Sequence, residues 1–255
     1  MDSSNVGVAE KNDNGAVSLR EWQEWGTSSL VPVSVAKLTS DLKTLEKESG
    51  APMVFGGLGG KLQGDFKVIE EKKHREMYQS LVESEDKLRY FSARQIACRL
   101  LGGREHLCQK CWLVKEDCMC SELVHTSLWQ GIRFWLYMHP KDFLRQNNTG
   151  KLLWQVFGVE AASLCIFGIH DMEEIMWNAF KRAGKDMVWV LYPNKNAPTK
   201  CVRDIFCQPL TNAENLKSFQ EYVFVTVNIC IVQQSLSYVN TKYNNTVIQS
   251  SHLRM

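Results

Sequence analysis

A chain of 255 residues that is 44% apolar and 23% charged can bury one sizeable core, which excludes wholesale disorder. Its formal net charge of +2 leaves no electrostatic footprint of the whole molecule, so a nucleic-acid partner would have to be met by a local patch. Nine cysteines in this length do not make a disulfide scaffold, and no amino-terminal apolar segment resembles a signal peptide, so an intracellular compartment, cytoplasm or nucleus, is expected.

Residues 1–30 read as a disordered tail from which Trp22 and Trp25 could dock on a surface. Its first part, Met1 to Gly15, carries no Arg, which argues against a transit peptide. Residues 31–105 form a mostly helical amino-terminal region. Within it, residues 31–65 are mixed, and Gly56-Gly57-Leu58-Gly59-Gly60 lacks the Gly-Lys-Ser/Thr ending of a phosphate loop and reads as a plain turn. From Phe66 to Leu101 the pattern is charged and helical, with Met77, Leu81, Leu88 and Ile96 at roughly helical spacing, a break near Ser84 to Asp86 and a stop at Gly102-Gly103.

Cys108-x2-Cys111 followed by Cys118-x-Cys120 opens the next region, residues 106–206. Four thiolates with short spacings inside each pair can close the tetrahedral site that zinc takes structurally, a clamp rather than a reaction centre. A redox pair is the rival reading, but Cys108 follows a glycine stop and lacks the strand and helix of a thioredoxin-type site. Cys98, Cys165, Cys201, Cys207 and Cys230 lack paired spacing and read as core or incidental thiols.

Apolar runs of strand length then alternate with helical patterns. Ile132 to Met138 and Ala161 to Ile169 fit strands buried on both faces, with a short helix at Lys151 to Phe157 between them. Asp171 is a plausible N-cap with Glu174 as its capping-box partner, and Ile175, Met176, Ala179 and Phe180 would face inward until Gly184. Met187 to Tyr192 is a third strand, broken by Pro193. This β-α-β-α-β order predicts an α/β fold with a parallel sheet whose ligands bind beyond the carboxyl ends of the strands.

Two motifs sit at such ends. His139-Pro140 leaves the first strand, where the histidine is a candidate base or ligand but more simply a turn residue with a satisfied ring. Arg145 can grip a carboxylate bidentately, and Asn148-Thr149-Gly150 can expose amides at the start of a helix or merely cap it. Pro193-Asn194-Lys195-Asn196-Ala197 leaves the third strand. Tyr222 to Val232, the longest late apolar run, is far below the roughly 20 residues that a membrane span needs, so no membrane segment is read.

The ordered set Cys108-x2-Cys111-x6-Cys118-x-Cys120, a strand ending in His139-Pro140, Arg145-x2-Asn148-Thr149-Gly150, and Leu191-Tyr192-Pro193 with Ala197 four residues later resembles the DTW-domain proteins over about residues 95–206. These are tRNA-uridine aminocarboxypropyltransferases related to the SPOUT-type RNA-modifying enzymes. The resemblance implies a knotted α/β fold, S-adenosylmethionine as co-substrate, structural zinc on the four cysteines, tRNA as partner, and transfer of the 3-amino-3-carboxypropyl group to N3 of a uridine. Arg145, Asn148, Thr149, Gly150, Leu191, Tyr192 and Pro193 would then line the cofactor site, with Arg145 on the cofactor carboxylate or an RNA phosphate and Tyr192 beside the adenosine or target base.

The sequence departs from that pattern in one respect: none of its eight tryptophans follows Asp-Thr, so the motif that names the family is absent. Beyond Phe206 the composition shifts toward Asn, Gln, Ser, Thr and Val. Residues 207–255 are therefore expected to be an atypical, truncated or alternative ending, leaving the knot half incomplete and the catalytic completion missing. The alternative function is a non-catalytic zinc-bearing module that binds RNA or protein, and a redox-sensing protein is a third.

Overall fold

The computed structural model of the chain describes residues 19–27, 29–56, 61–127, 132–145, 149–184, 187–191, 199–200, 222–227 and 249–253. Helix α1, Leu19–Glu24, and the turn after it carry Trp22 and Trp25 into the interior. The two rings meet edge to face at 6.2 Å, and both pack on Phe143, at 5.7 and 5.9 Å. Burying two indoles stabilises by about 4–6 kcal/mol each on area grounds. Trp22, Trp25, Gly26 and Thr27, expected as part of a tail, are thus built into the core.

Gly26 shows how closely this segment is sewn on. Its φ is +81°, and a Cβ there would lie 2.4 Å from the Trp154 ring, so both backbone and space call for glycine. Its carbonyl accepts the Leu164 N–H at 2.6 Å.

The amino-terminal region is more helical than its mixed composition suggested. Helix α2, Val33–Ser49, precedes a small antiparallel hairpin of β1, Val54–Gly56, and β2, Lys61–Gln63, and then α3, Gly64–Ser80, and α4, Ser84–Leu101. Leu42 of α2, Phe66 of α3 and Ala97 of α4 form a satellite core. The helical run breaks at Leu81, whose backbone is extended, slightly ahead of the expected position. Of the residues at helical spacing, Ile96 is buried, but Met77 is 47% exposed, because α3 buries only Phe66 and Glu70 and its far end stands off the core.

The remaining elements are β3 (Ile132–Met138), α5 (Leu152–Phe157), β4 (Ala162–Ile166), α6 (His170–Ala183), β5 (Val188–Leu191), β6 (Thr199–Lys200), β7 (Tyr222–Val227) and β8 (Gln249–Leu253). The sheet runs β4-β3-β7-β5-β8-β6, and every pair is parallel. The predicted β-α-β-α-β alternation is present, but β3 and β5 are separated by β7, from the segment read as atypical. Tyr-Val-Phe-Val-Thr-Val is a β-branched and aromatic run suited to a strand with partners on both sides.

Two local expectations are corrected. β4 stops at Ile166 rather than Ile169, because Phe167 and Gly168 form a turn with Gly168 at φ +79°. Helix α6 begins at His170, with Ile169 as N-cap and no side-chain cap, so Asp171 and Glu174 do not form a capping box. Its inward face is Met172, Met176, Ala179 and Phe180, an i, i+4, i+7, i+8 stripe that leaves Ile175 42% exposed. Among the described residues no helix is long and apolar enough to cross a membrane.

Candidate functional site

The four cysteines come together. Leu107 and Val114 form an antiparallel bridge that closes the first turn, and the Cys108 N–H donates to the Leu113 carbonyl at 2.8 Å. Trp112 at φ +57° turns the chain directly after Cys111, its N–H donating to Cys108 at 3.0 Å. A single 3₁₀ turn, Lys115–Asp117, then delivers Cys118. All four Sγ atoms lie within 4.8 Å of one another, with Cys108–Cys120 and Cys111–Cys118 both at 3.8 Å.

That arrangement can hold a metal ion, since a tetrahedron with metal–sulfur bonds of about 2.3 Å has sulfur–sulfur edges of about 3.8 Å. The local backbone favours a thiolate. Burial opposes ionisation of Cys108, but the amides of Cys111 and Lys110 donate to its sulfur and bring the thiol down to about 6. Burial and the neighbouring thiols instead push Cys120 up. Neither cysteine of the first pair sits at a helix start, as a thioredoxin-type site would require.

The cluster is braced against the strand-end region. The Trp112 ring packs on Phe143 and Trp154, both at 5.4 Å. Gln155 of α5 donates to the Lys110 carbonyl at 3.2 Å. Lys151 is fully buried, and burial lowers its ammonium to about 8 against the opposing pull of Cys111 and Cys108.

At the end of β3, His139 caps the 3₁₀ turn Pro140–Asp142, its Nδ1 accepting the Lys141 N–H at 3.2 Å. The ring stacks on Phe167 at 6.2 Å and is buried, which lowers its pKa, with Asp142 opposing and Lys141 reinforcing the shift. This is the satisfied turn residue of the simpler expectation. Asp142, also buried, holds Arg145 through Nη1–Oδ1 at 2.9 Å, while the Arg145 side chain stays 47% exposed. Arg99 reaches the same corner from α4, donating to the Lys141 carbonyl at 3.0 Å, and burial together with Arg145 lowers its pKa.

The end of β5 lies on the same edge. Leu191 and Leu136 both pair with Thr226 of β7, and β3 continues two residues further, to Met138. The chains leaving β3 and β5 thus depart from one edge, two strand spacings or roughly 10 Å apart. Of the residues singled out in sequence, Arg145 and Gly150 are described in full, while Thr149 and Leu191 are described as backbone, in a 3₁₀ turn and as the last residue of β5. Asn148, Tyr192 and Pro193 lie outside the described residues.

Sequence reasoning passed over Asp142 and Lys151. Asp142 was findable as an acid three residues before Arg145 on a tight turn, whereas a lysine after Thr-Gly looks like any solvated residue. Also unanticipated is a cavity of about 420 Å³ among α2, α3 and α4, far from the strand ends in sequence, where Arg94 Nε donates to Glu70 Oε1 at 2.6 Å beside a stacked His74 and Tyr90.

No curated protein and no solved structure matches the chain. The DTW domain matches residues 105–241, reaching past Phe206 through β7. With the cysteine cluster, the His139 turn and the Arg145 corner all inside a match that covers more than half of its length, the chain belongs to the DTW domain family, which is associated with tRNA-modifying enzymes.

Proposed function

We propose that the chain is a tRNA-uridine aminocarboxypropyltransferase that moves the 3-amino-3-carboxypropyl group of S-adenosylmethionine to N3 of a tRNA uridine, on a SPOUT-related scaffold clamped by structural zinc. The reading rests most on one relationship: β3 and β5, which carry the two motifs, run parallel on either side of β7 and end within two residues of each other. Carboxyl ends of parallel strands are where such sheets bind ligands.

Zinc suits the donor set, four thiols at tetrahedral separations. At the strand ends Arg145 suits a carboxylate, because its guanidinium is held by Asp142 in a side chain that is 47% exposed. Asn148, Thr149 and Gly150 shape the adjoining loop, and Leu191, Tyr192 and Pro193 border the adenosine or the target base. When bound, S-adenosylmethionine supplies an electrophilic carbon beside a sulfonium, to which N3 bonds as methylthioadenosine leaves and the N3 proton passes to a base. The chain's own contribution is orientation of the amino acid end of that molecule against the uridine.

The absence of Asp-Thr-Trp favours a second reading, a non-catalytic zinc-bearing module that binds RNA or protein. Incubation with unmodified tRNA and S-adenosylmethionine labelled in the carboxypropyl group separates the two. The transferase yields a labelled nucleoside after digestion. A chain that retains tRNA on a filter but transfers no label is the binding module, and the catalytic reading is then wrong.

A further inference from the structure

Lys151 stands between the two parts of the site. It ends the 3₁₀ turn Thr149–Lys151, directly ahead of α5, and its side chain is fully buried. The ammonium donates to the Arg145 carbonyl at 3.3 Å, lies 5.5 Å from the centre of the Trp112 ring, and feels the charge of Cys108 and Cys111. One buried cation therefore touches the loop that carries Arg145 and faces the residues that carry the thiols.

We propose that Lys151 is a positioning residue that couples metal occupancy of the four-cysteine site to the backbone at Arg145. The proposal rests on the zinc reading above. Four thiolates around a divalent ion leave a net double negative charge, and a buried cation facing it offsets the cost of enclosing that charge. The same ammonium, drawn toward the occupied cluster across the face of Trp112, is the donor that fixes the Arg145 carbonyl. Coupling of this kind is reciprocal: whatever loosens Lys151 weakens metal affinity and frees the Arg145 corner together.

The test uses the full chain with Zn²⁺ alone as probe. Zinc stoichiometry and affinity are measured by competition with a chromophoric chelator, and amide hydrogen exchange is followed by mass spectrometry with and without zinc. In the wild type, zinc should bind one to one and slow exchange in peptides covering residues 142–152. Lys151→Met keeps the volume and loses the charge. It should bind zinc about 10–100-fold more weakly, the range typical of groups that support metal ligands, and at saturating zinc its exchange over residues 142–152 should no longer respond to the metal.

Lys151→Arg keeps the charge and should recover part of both effects, and it serves alone should Lys151→Met fail to fold. Peptides of α6 are the internal control and should respond alike in all variants. A wild type that binds no zinc overturns the zinc reading and the coupling with it. A wild type that binds zinc without a change in exchange over residues 142–152, or a Lys151→Met chain that responds as the wild type does, overturns the coupling and leaves the zinc reading standing. A Lys151→Arg chain that binds zinc as tightly as the wild type but whose exchange over residues 142–152 does not respond to the metal also counts against the coupling.

Discussion

The Tyr137 hydroxyl donates to the Glu173 carboxylate at 2.5 Å, so the carboxyl end of β3 is tied to the first turn of α6. The same Oε1 accepts the Gly168 N–H at 3.0 Å, and all three partners are buried or lie in a buried bond. One carboxylate thereby fixes the turn that ends β4 as well as the start of the helix. Replacing Glu173 by Ala removes the acceptor that both donors use, and each such loss in a buried setting costs about 1–3 kcal/mol. Tyr137→Phe removes one hydrogen bond and should cost about 1 kcal/mol. Urea unfolding should therefore rank wild type above Tyr137→Phe and Tyr137→Phe above Glu173→Ala; equal midpoints for the two variants would contradict the shared-acceptor account.

Gly26→Ala should be more damaging than its size suggests. The residue sits at φ +81°, and an added Cβ meets the Trp154 ring at 2.4 Å. Forcing an L residue into that backbone costs about 1–3 kcal/mol before the ring is displaced. Because the Gly26 carbonyl also accepts from Leu164 on the edge strand β4, the variant should lower the thermal midpoint and expose Trp22 and Trp25, visible as a red shift of tryptophan emission. Gly103→Ala, with nothing within reach of its Cβ and no positive φ, is the matched control and should unfold near the wild-type temperature.

What the sequence made legible follows from how local each signal is. β3 is an unbroken apolar run, and its ends were read to the residue. The cysteine spacing is local too, and the four sulfurs do meet. Helix α6 buries Met176, Ala179 and Phe180 of the expected face but not Ile175, and its start shifted, because Asp171 looked like a cap while the acid that matters, Glu173, acts through a strand 36 residues away. β7 could not be placed, since a parallel strand inserted between β3 and β5 is a long-range relationship and its surroundings are rich in Asn, Ser and Thr. Helix α2 was hidden by its charge density, and Lys151 by the general expectation that lysines stay in water.

His139 predicts a slope of stability with pH. Burial lowers its pKa in the folded chain, whereas the unfolded ring titrates near 6.5. The unfolded state therefore takes up the proton first. The stability contributed by the neutral ring is complete above about 6.5 and is lost as pH falls through the lower folded value. Urea midpoints measured from pH 7.5 down to 5 should fall more steeply for the wild type than for His139→Asn, which can still accept from the Lys141 N–H but does not titrate. Parallel curves would show that the histidine is not the group responsible.

Metal removal should sort the cysteines by chemistry rather than by position in the chain. Burial pushes the Cys98 thiol up to about 11 and also raises Cys165 well above its ordinary value, so at pH 8 only about one Cys98 in a thousand is a thiolate. Cys108 instead titrates near 6, and it, Cys118 and Cys120 are partly exposed. With metal bound, alkylation at all four cluster cysteines should be slow because their sulfurs are ligands. After treatment with a chelator under reducing conditions, peptide mapping should find Cys108 labelled first and Cys98 and Cys165 at least tenfold more slowly, provided the fold survives, which circular dichroism checks. A Cys108→Ser chain should lose metal binding and leave the other three cluster thiols open to label whether or not zinc is added. Labelling of Cys108 at the same rate before and after chelation would mean that the four sulfurs, close as they are, do not share an ion.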